Sequence, residues 1–508
     1  MYRIITDYLD ASASCFADKT ALVDKKRSLS FSGLRVEALH IASALMQKKI
    51  FHQPIVVFLD QSVESIASFM GIAYAGNYYT VLDAKTPAAR QEKILETLQP
   101  AAVITDARHR TKLNMDADDA RILDYQELQQ TPVDESALQE VKEKIGDKDI
   151  LYVLFTSGST GTPKGVTIGQ RSVMQYTEWV AETFHLDEHT VIANQAPFYF
   201  DNSVLDIYQT LRNGGTLYIT PRANFIFPVR LLEYLRDNQV NTIFWVPSIF
   251  CNVANLGVLD DVDVSCLQNV LFAGEVMPNK QLNIWRKHLP KAVFANLYGP
   301  TEITVDCTYY IVNRDFADNE PLPIGMPCRP DTVFVLNENN QLVTGSEQGE
   351  LCVRGESLAY GYYKNPEKTA ESFVQNPLRQ EKDVIYRTGD LVHYNERGEI
   401  MYDGRKDFQI KHMGHRIELG EIEHDASALP GVERAACIYA EGKDEIFVFY
   451  TGSIDEKKVH RLLRAQVPDY MVPKHCIKLD KMTQTSNGKI DRKTLKQKFM
   501  EEVAGRES

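Results

Sequence analysis

The stretch LYVLFTSGSTGTPKGVTI, residues 151–168, decides how this chain is read. An apolar, strand-like run (Leu151 to Phe155) leads into a loop of small and hydroxylated residues. Thr156, Ser157, Ser159, Thr160 and Thr162 supply O–H donors. Gly158 and Gly161 let the backbone curl and bring its N–H groups close to an anion. Lys164 adds a full positive charge. These are the groups a polyphosphate requires. The pattern is not a Walker loop, which places Ser or Thr directly after the lysine to hold magnesium; here Gly165 follows and Pro163 precedes.

Strand-like runs and helical patterns alternate around this loop. The strands read as 54–60, 101–106, 151–155, 216–220, 241–246 and 269–274. The helices between them read as 34–47, 62–75, 89–98, 172–184, 228–238 and 279–289. Such alternation implies parallel sheets of α/β type, which bind ligands at the carboxyl ends of their strands. The loop at 156–164 follows one such end. From about 330 to 403 shorter strands with Gly-rich turns indicate a β subdomain. A small α/β unit follows, with helices at 419–428 and 456–466 around strands at 433–440 and 445–452. The expected division is a large domain over 1–406 and a small one over 407–508.

The chain has 508 residues, of which 44% are hydrophobic and 25% charged, with net charge −13. That balance argues against a general nucleic-acid surface. Residues 408–508 hold 17 Lys and Arg against 16 Asp and Glu, leaving 39 against 53 elsewhere. A near-neutral tail on an acidic body fits two units with different contacts. The eight cysteines are scattered and form no CxxC pair, which points to a reducing compartment. Asp7 and Asp10 interrupt the start of the chain where a signal peptide needs an apolar core. No uncharged apolar run approaches the ~18 residues of a membrane span. A soluble, cytoplasmic protein without a membrane span is expected.

TSGSTGTPKG (156–165), NLYGPTE (296–302), YRTGD (386–390), GRKDFQIKHMGHRIELGEIE (404–423) and NGKIDR (487–492) occur in that order. Together they resemble the adenylate-forming, AMP-binding enzymes, and within them the amino-acid-adenylating branch: nonribosomal peptide synthetase adenylation domains and D-alanine–carrier protein ligases. The resemblance spans nearly the whole chain. It implies a large α/β domain with a β subdomain, and a small mobile C-terminal α/β domain. It also implies a reaction: carboxylate plus ATP gives acyl-adenylate and pyrophosphate, and the acyl group then moves to a thiol.

The motifs also make chemical sense singly. Tyr298 offers a flat face for adenine, and Asn296 a paired donor and acceptor. Gly299 turns the chain. Thr301 suits the α-phosphate. Glu302 is a hard oxygen ligand for Mg2+, which takes one or two carboxylates plus substrate phosphates. Asp390, read as a carboxylate at a strand end after Gly389, matches the family's ribose-binding aspartate, and Arg405 shares that contact by resemblance. Lys489 resembles the family's C-terminal catalytic lysine, whose ammonium meets the negative charge building between carboxylate and α-phosphate. Lys164, Thr301, Glu302 and Lys489 form the implied catalytic set, and Thr156 to Gly161 the implied phosphate loop. Asp407 matches the family's hinge, about which the small domain turns to exchange Lys489 for the loop around Lys411–Gly414.

In PFYFDNSVLD (197–206), Asp201 matches the family aspartate that pairs with the substrate α-ammonium. A buried cation needs an opposite charge, which favours an amino acid over a simple acid. The alternative is that Asp201 merely caps a helix starting near Ser203. The matching pocket set is Asn202, Leu205, Phe244, Leu271, Ala273, Leu297, Val305 and Asp306. Its large apolar members leave room for a small side chain: glycine, alanine of either hand, or serine. D-alanine ligases of this family carry cysteine at the position of Ala273. Asp306 adds a second acid, suited to a hydroxyl or a basic side chain. No carrier domain is visible, so transfer to the phosphopantetheine of a carrier protein in trans is expected. Two other readings stay open: an acyl-CoA ligase acting on a non-amino acid, and a catalytically silent scaffold or sensor.

Overall fold

The structure is a computed structural model. It describes residues 2–116, 118–158, 161–440, 445–483, 490–492 and 494–497. Ser159, Thr160 and Lys489, named above as site residues, lie outside the described residues. The chain divides into two compact units. One comprises Met1–Ala84, Thr97–Phe155 and Gly165–Lys406; the other comprises Lys85–Glu96, Thr156–Lys164 and Asp407–Ser508.

Among the described residues, the first unit contains nine-, six- and five-stranded sheets. The nine-stranded sheet has Thr216–Ile219, Val191–Asn194, Thr242–Trp245, Asn269–Phe272 and Val293–Tyr298 as parallel neighbours in that order. Their near-continuous apolar sequences are those of strands buried on both faces. Side-chain alternation sorts these residues onto two cores. Ile243, Trp245, Val270, Phe272 and Phe294 pack into one. Phe244, Leu271, Ala273, Ala295 and Leu297 pack into the other. The register makes this a row, since Phe244 pairs Leu271 and Leu271 pairs Ala295.

That second core also takes Ile55, Val57, Ile104, Tyr152 and Leu154 from the six-stranded sheet. It takes further residues from the helices Phe31–Gln47, Val63–Tyr74, Gln170–Phe184 and Asn202–Asn213. In the five-stranded sheet, Val384–Tyr394 pairs with Gly349–Arg354, Phe373–Gln375 and Ile400–Arg405. This sheet is the β subdomain read from the sequence.

The second unit has a hairpin, Gln409–His412 with His415–Glu418. Its two turn residues, Met413 and Gly414, have φ of 51° and 77°, the left-handed pair that matches strand twist in a tight hairpin. A three-stranded sheet (Val432–Ala440, Glu445–Gly452, His475–Lys478) is buried on both faces. Cys437, Val448 and Tyr450 face one side, packed with the helices Leu419–Ser427 and Glu456–Arg464. Ala436, Ile438, Phe447 and Phe449 face the other. No described helix is long and apolar enough to cross a membrane.

Candidate active site

The apolar row of the nine-stranded sheet meets the helix Asn202–Asn213. Leu205 on that helix joins Phe244, Leu271, Ala273, Leu297 and Val305 in one buried cluster. Asn202 lies one turn from Leu205 on the same face. Asp201 stands at the position before the helix, yet its side chain makes no capping hydrogen bond to the first turn. The helix-cap alternative therefore does not describe this carboxylate. Close to it lies Tyr152, fully buried, whose hydroxyl has no hydrogen-bond partner among the described residues. Burial, and then the Asp201 charge, push that phenol well above its ordinary range. A buried hydroxyl without a protein partner calls for an explanation, an ordered water or a ligand among them.

Val305 and Asp306 come from the turn after the strand Val293–Tyr298. Thr304 and Val305 have φ of 59° and 73°. The left-handed region costs an L-residue roughly 1–2 kcal/mol, and β-branched residues are rare there. The surroundings hold the turn. Thr304 Oγ1 donates to Ser357 O at 2.7 Å, and the Cys307 N–H donates to Tyr298 O at 2.8 Å. Gly299 is required here, because a Cβ would come within 2.4 Å of Val305 O. The turn brings Val305 into the buried cluster, while Asp306 accepts a hydrogen bond from the Tyr176 hydroxyl at 2.6 Å.

Around NLYGPTE, the Tyr298 hydroxyl donates to Asp390, and Arg405 Nη1 donates to the other oxygen of Asp390 at 2.8 Å. Burial, followed by the Asp390 charge, raises the Tyr298 phenol well above its usual range and keeps it a donor. Asp390 lies within the strand Val384–Tyr394 rather than at a strand end. The strand runs on because Ile400–Arg405 pairs with it, Asp390 opposite Arg405. The left-handed Gly389, φ 75°, and a register shift after Leu391 are absorbed without ending the ladder. Asn296 donates its amide to Pro323 O at 2.8 Å. Thr301 opens a short 3₁₀ turn, Thr301–Ile303. Glu302 is fully buried and accepts from the Tyr362 hydroxyl at 2.7 Å. The Ala359 N–H donates to Glu302 O at 2.8 Å, so the segment 357–362 clamps this turn.

In the second unit, Gly158 and Lys164 of the loop face acidic side chains, and Gly161 O accepts from Lys93 at 2.8 Å. The Gly158 N–H donates to Glu421 at 3.0 Å, and Lys164 lies 3.6 Å from Glu418. Ser157 Oγ accepts from the Glu418 N–H at 3.1 Å and donates to Arg416 O at 2.9 Å. Thr156 donates to Lys164 O at 3.5 Å. Gly158 is sterically obligatory, since a Cβ would sit 2.0 Å from Thr162 O. Glu421 also pairs with Arg90, both nearly fully buried. Burial outweighs the Arg90 charge and lifts the Glu421 carboxyl above its ordinary value. In this loop a backbone N–H and a lysine thus face carboxyl groups. Asp407 accepts from the Gln409 N–H at 3.1 Å.

Tyr152, Tyr176, Tyr362, Arg90 and Glu421 were not among the residues expected at the site. Tyr176, Tyr362 and Glu421 contact expected residues far away in sequence, the Asp201 charge acts on Tyr152, and Arg90 contacts Glu421, relations that leave no local signal.

The sequence profile of the family described as "AMP-binding enzyme" matches residues 9–363. The chain is 34% identical over 464 residues to the D-alanine–D-alanyl carrier protein ligase of Lacticaseibacillus casei (strain BL23), an alignment covering 87% of this chain and 89% of that one. It is 33% identical over 486 residues to a linear gramicidin synthase polypeptide of Brevibacillus parabrevis, covering 94% of this chain but only 6% of that much longer protein. Among solved structures, the Vibrio cholerae adenylation domain AlmE in complex with glycyl-adenosine-5'-phosphate superimposes with a TM-score of 0.85 at 21% identity, with 98% of each chain covered. That likeness establishes the fold. The chain belongs to the AMP-binding enzyme family and is an ATP-dependent, AMP-forming ligase with the adenylate-forming fold.

Proposed function

We propose that this ligase activates a small amino acid, either glycine, L- or D-alanine or serine, as its aminoacyl-adenylate and then transfers it to the phosphopantetheine thiol of a separate carrier protein. One observation carries the amino-acid reading: Asp201 does not cap its own helix and stands beside the orphaned hydroxyl of Tyr152. A substrate ammonium and this carboxylate offset part of each other's desolvation, which an acid without an amino group does not do. The same point stands against an acyl-CoA ligase. The bulk of Leu205, Phe244, Leu271 and Leu297, all buried in one cluster, favours a short side chain.

In the first step, a substrate carboxylate oxygen attacks the α-phosphorus and the bond to pyrophosphate breaks. The protein's part is position and charge. Asp390, held by Tyr298 and Arg405, receives the ribose hydroxyls. Asn296 and Tyr298 address adenine. The donors of the 156–164 loop and Lys164 take phosphate oxygens in place of Glu421 and Glu418. Thr301 binds the α-phosphate, and Lys489 neutralises the charge of the pentavalent state.

Glu302 is suited to Mg2+, which would supply charge neutralisation on the phosphates. The Tyr362 hydroxyl donates to Glu302 at 2.7 Å and orients its carboxyl group. Among the described residues no three acidic, His or Cys side chains form a metal cage; magnesium held by one carboxylate and the triphosphate needs none.

Transfer to a carrier is supported by the matched length of the D-alanine–D-alanyl carrier protein ligase relative. Asp407 is proposed as the pivot between a core, 1–406, and a small domain, 407–508, from the GRKD motif.

The test is an ATP–pyrophosphate exchange screen over L- and D-amino acids, glycine and hydroxy acids. Exchange with small α-amino acids is expected. Exchange confined to acids without an amino group contradicts the proposal.

A further inference from the structure

Arg90, on the helix Ala88–Leu98, is 6% exposed, and Glu421, with which it pairs, is 1% exposed. The guanidinium donates to Glu421 Oε1, while the Gly158 N–H donates to Glu421 Oε2 at 3.0 Å. An arginine and the backbone N–H of a glycine loop thus converge on one carboxyl group. Both donors suit phosphate: N–H groups of such loops bind anions, and an arginine fork matches two phosphate oxygens.

Glu421 belongs to a row. Glu418, Glu421 and Asp425 are three and four positions apart, the spacing of one helical face, with Glu418 at the start of the helix Leu419–Ser427. Glu418 lies 3.6 Å from Lys164, and Asp425 pairs with Lys93 at 3.1 Å. Lys93 also donates to Gly161 O at 2.8 Å. Three acidic side chains therefore face three cations around the 156–164 loop. The helix lies directly against the loop backbone, since a Cβ at Gly161 would come within 2.2 Å of the His424 ring.

A polyphosphate that takes the Gly158 N–H and Lys164 meets Glu421 and Glu418 as like charges at close range. The two sets of anions exclude each other. When a phosphate oxygen replaces Glu421 on the Gly158 N–H, it also comes within reach of Arg90, because both donors hold the same carboxyl group. A charge-assisted bond from guanidinium to phosphate then succeeds the bond to Glu421.

We propose that Arg90 is a polyphosphate-binding residue and that Glu421 is the internal competitor for it: the guanidinium serves the Glu421 carboxylate and a phosphate of ATP or pyrophosphate in turn. This rests on the reading that the 156–164 loop takes the triphosphate.

The experiment is calorimetric titration of pyrophosphate, with Mg2+, into the full chain as wild type, Arg90→Gln, Glu421→Gln and Lys164→Ala, with a melting curve for each protein. Arg90→Gln is expected to raise the pyrophosphate Kd at least tenfold. Glu421→Gln is expected to lower it at least threefold, because the competitor loses its charge. The opposite signs separate competition from a scaffold role, in which both substitutions weaken binding. If Arg90→Gln does not fold, Arg90→Lys takes its place; it keeps the charge, loses the fork and is expected to raise the Kd at least threefold. A change below threefold at position 90, or a Kd that Glu421→Gln leaves equal or raises, overturns the inference. If Lys164→Ala weakens binding in that same series, the loop still holds the phosphates and only the inference falls. If Lys164→Ala leaves the Kd unchanged as well, the reading of the loop falls with it.

Discussion

The Tyr298 hydroxyl donates to the carboxylate of Asp390, the same carboxylate that Arg405 binds at 2.8 Å from the neighbouring strand. Two donors, one neutral and one charged, thus fix the plane of the group proposed to hold the ribose. A hydrogen bond to a charged group contributes about 1.5–3 kcal/mol. Tyr298→Phe keeps the ring and removes the O–H. Its KM for ATP should rise about tenfold or more, with the amino-acid KM changed less than threefold. An unchanged ATP KM would detach this bond from nucleotide binding.

Asp201→Asn keeps the volume and removes the charge. Breaking a buried ion pair costs about 3–5 kcal/mol, so kcat/KM for the amino acid should fall by roughly a hundredfold or more. ATP binding, measured by calorimetry without amino acid, should stay within threefold. Equal losses in both would show that the substitution acts on the scaffold and not on the ammonium.

Lys489 lies outside the described residues, and its role rests on the NGKIDR motif. If its ammonium acts chiefly on the charge of the transition state, Lys489→Ala should lower exchange by at least a hundredfold while amino-acid binding stays within threefold. Exchange at the wild-type rate removes it from the mechanism.

Asp331 is buried beside Ser357 and Gln175, and burial raises its carboxyl to about 6 from an ordinary 3.8. A raised acid binds its proton more tightly in the folded state. The stability it contributes is therefore full below about pH 4 and is lost as pH rises through 6. Above that, the ionised group destabilises the fold by an amount of the order of 3 kcal/mol. Asp331→Asn should raise the melting temperature at pH 8 and make little difference near pH 4. An equal shift at both values would attribute the effect to packing instead of charge.

The alternation of strands and helices was legible because burial imposes periods of 2 and 3.6. The helices expected at 172–184 and 228–238 are found at Gln170–Phe184 and Pro228–Asp237. Phe244, Leu271 and Leu297 follow from the family resemblance and not from a period; in the structure they belong to one buried cluster. What a period does not carry is the partner across a core. Tyr176 reads as one more apolar residue in the stripe of its helix, and nothing local tells that its hydroxyl meets Asp306, 130 positions away. The link from Tyr362 to Glu302 and that from Arg90 to Glu421 are hidden for the same reason. Asp390 was misplaced at a strand end because Gly389 looks like a terminator; the pairing with Ile400–Arg405, which carries the strand onward, is not visible locally.

The most direct measurement compares alanine with propionate in ATP–pyrophosphate exchange by the wild-type enzyme, since the two differ only in the amine that Asp201 is proposed to hold. Alanine should be activated with a kcat/KM at least a hundredfold above that of propionate. Equal rates for the two acids would contradict the pairing of ammonium and carboxylate on which the proposed function rests.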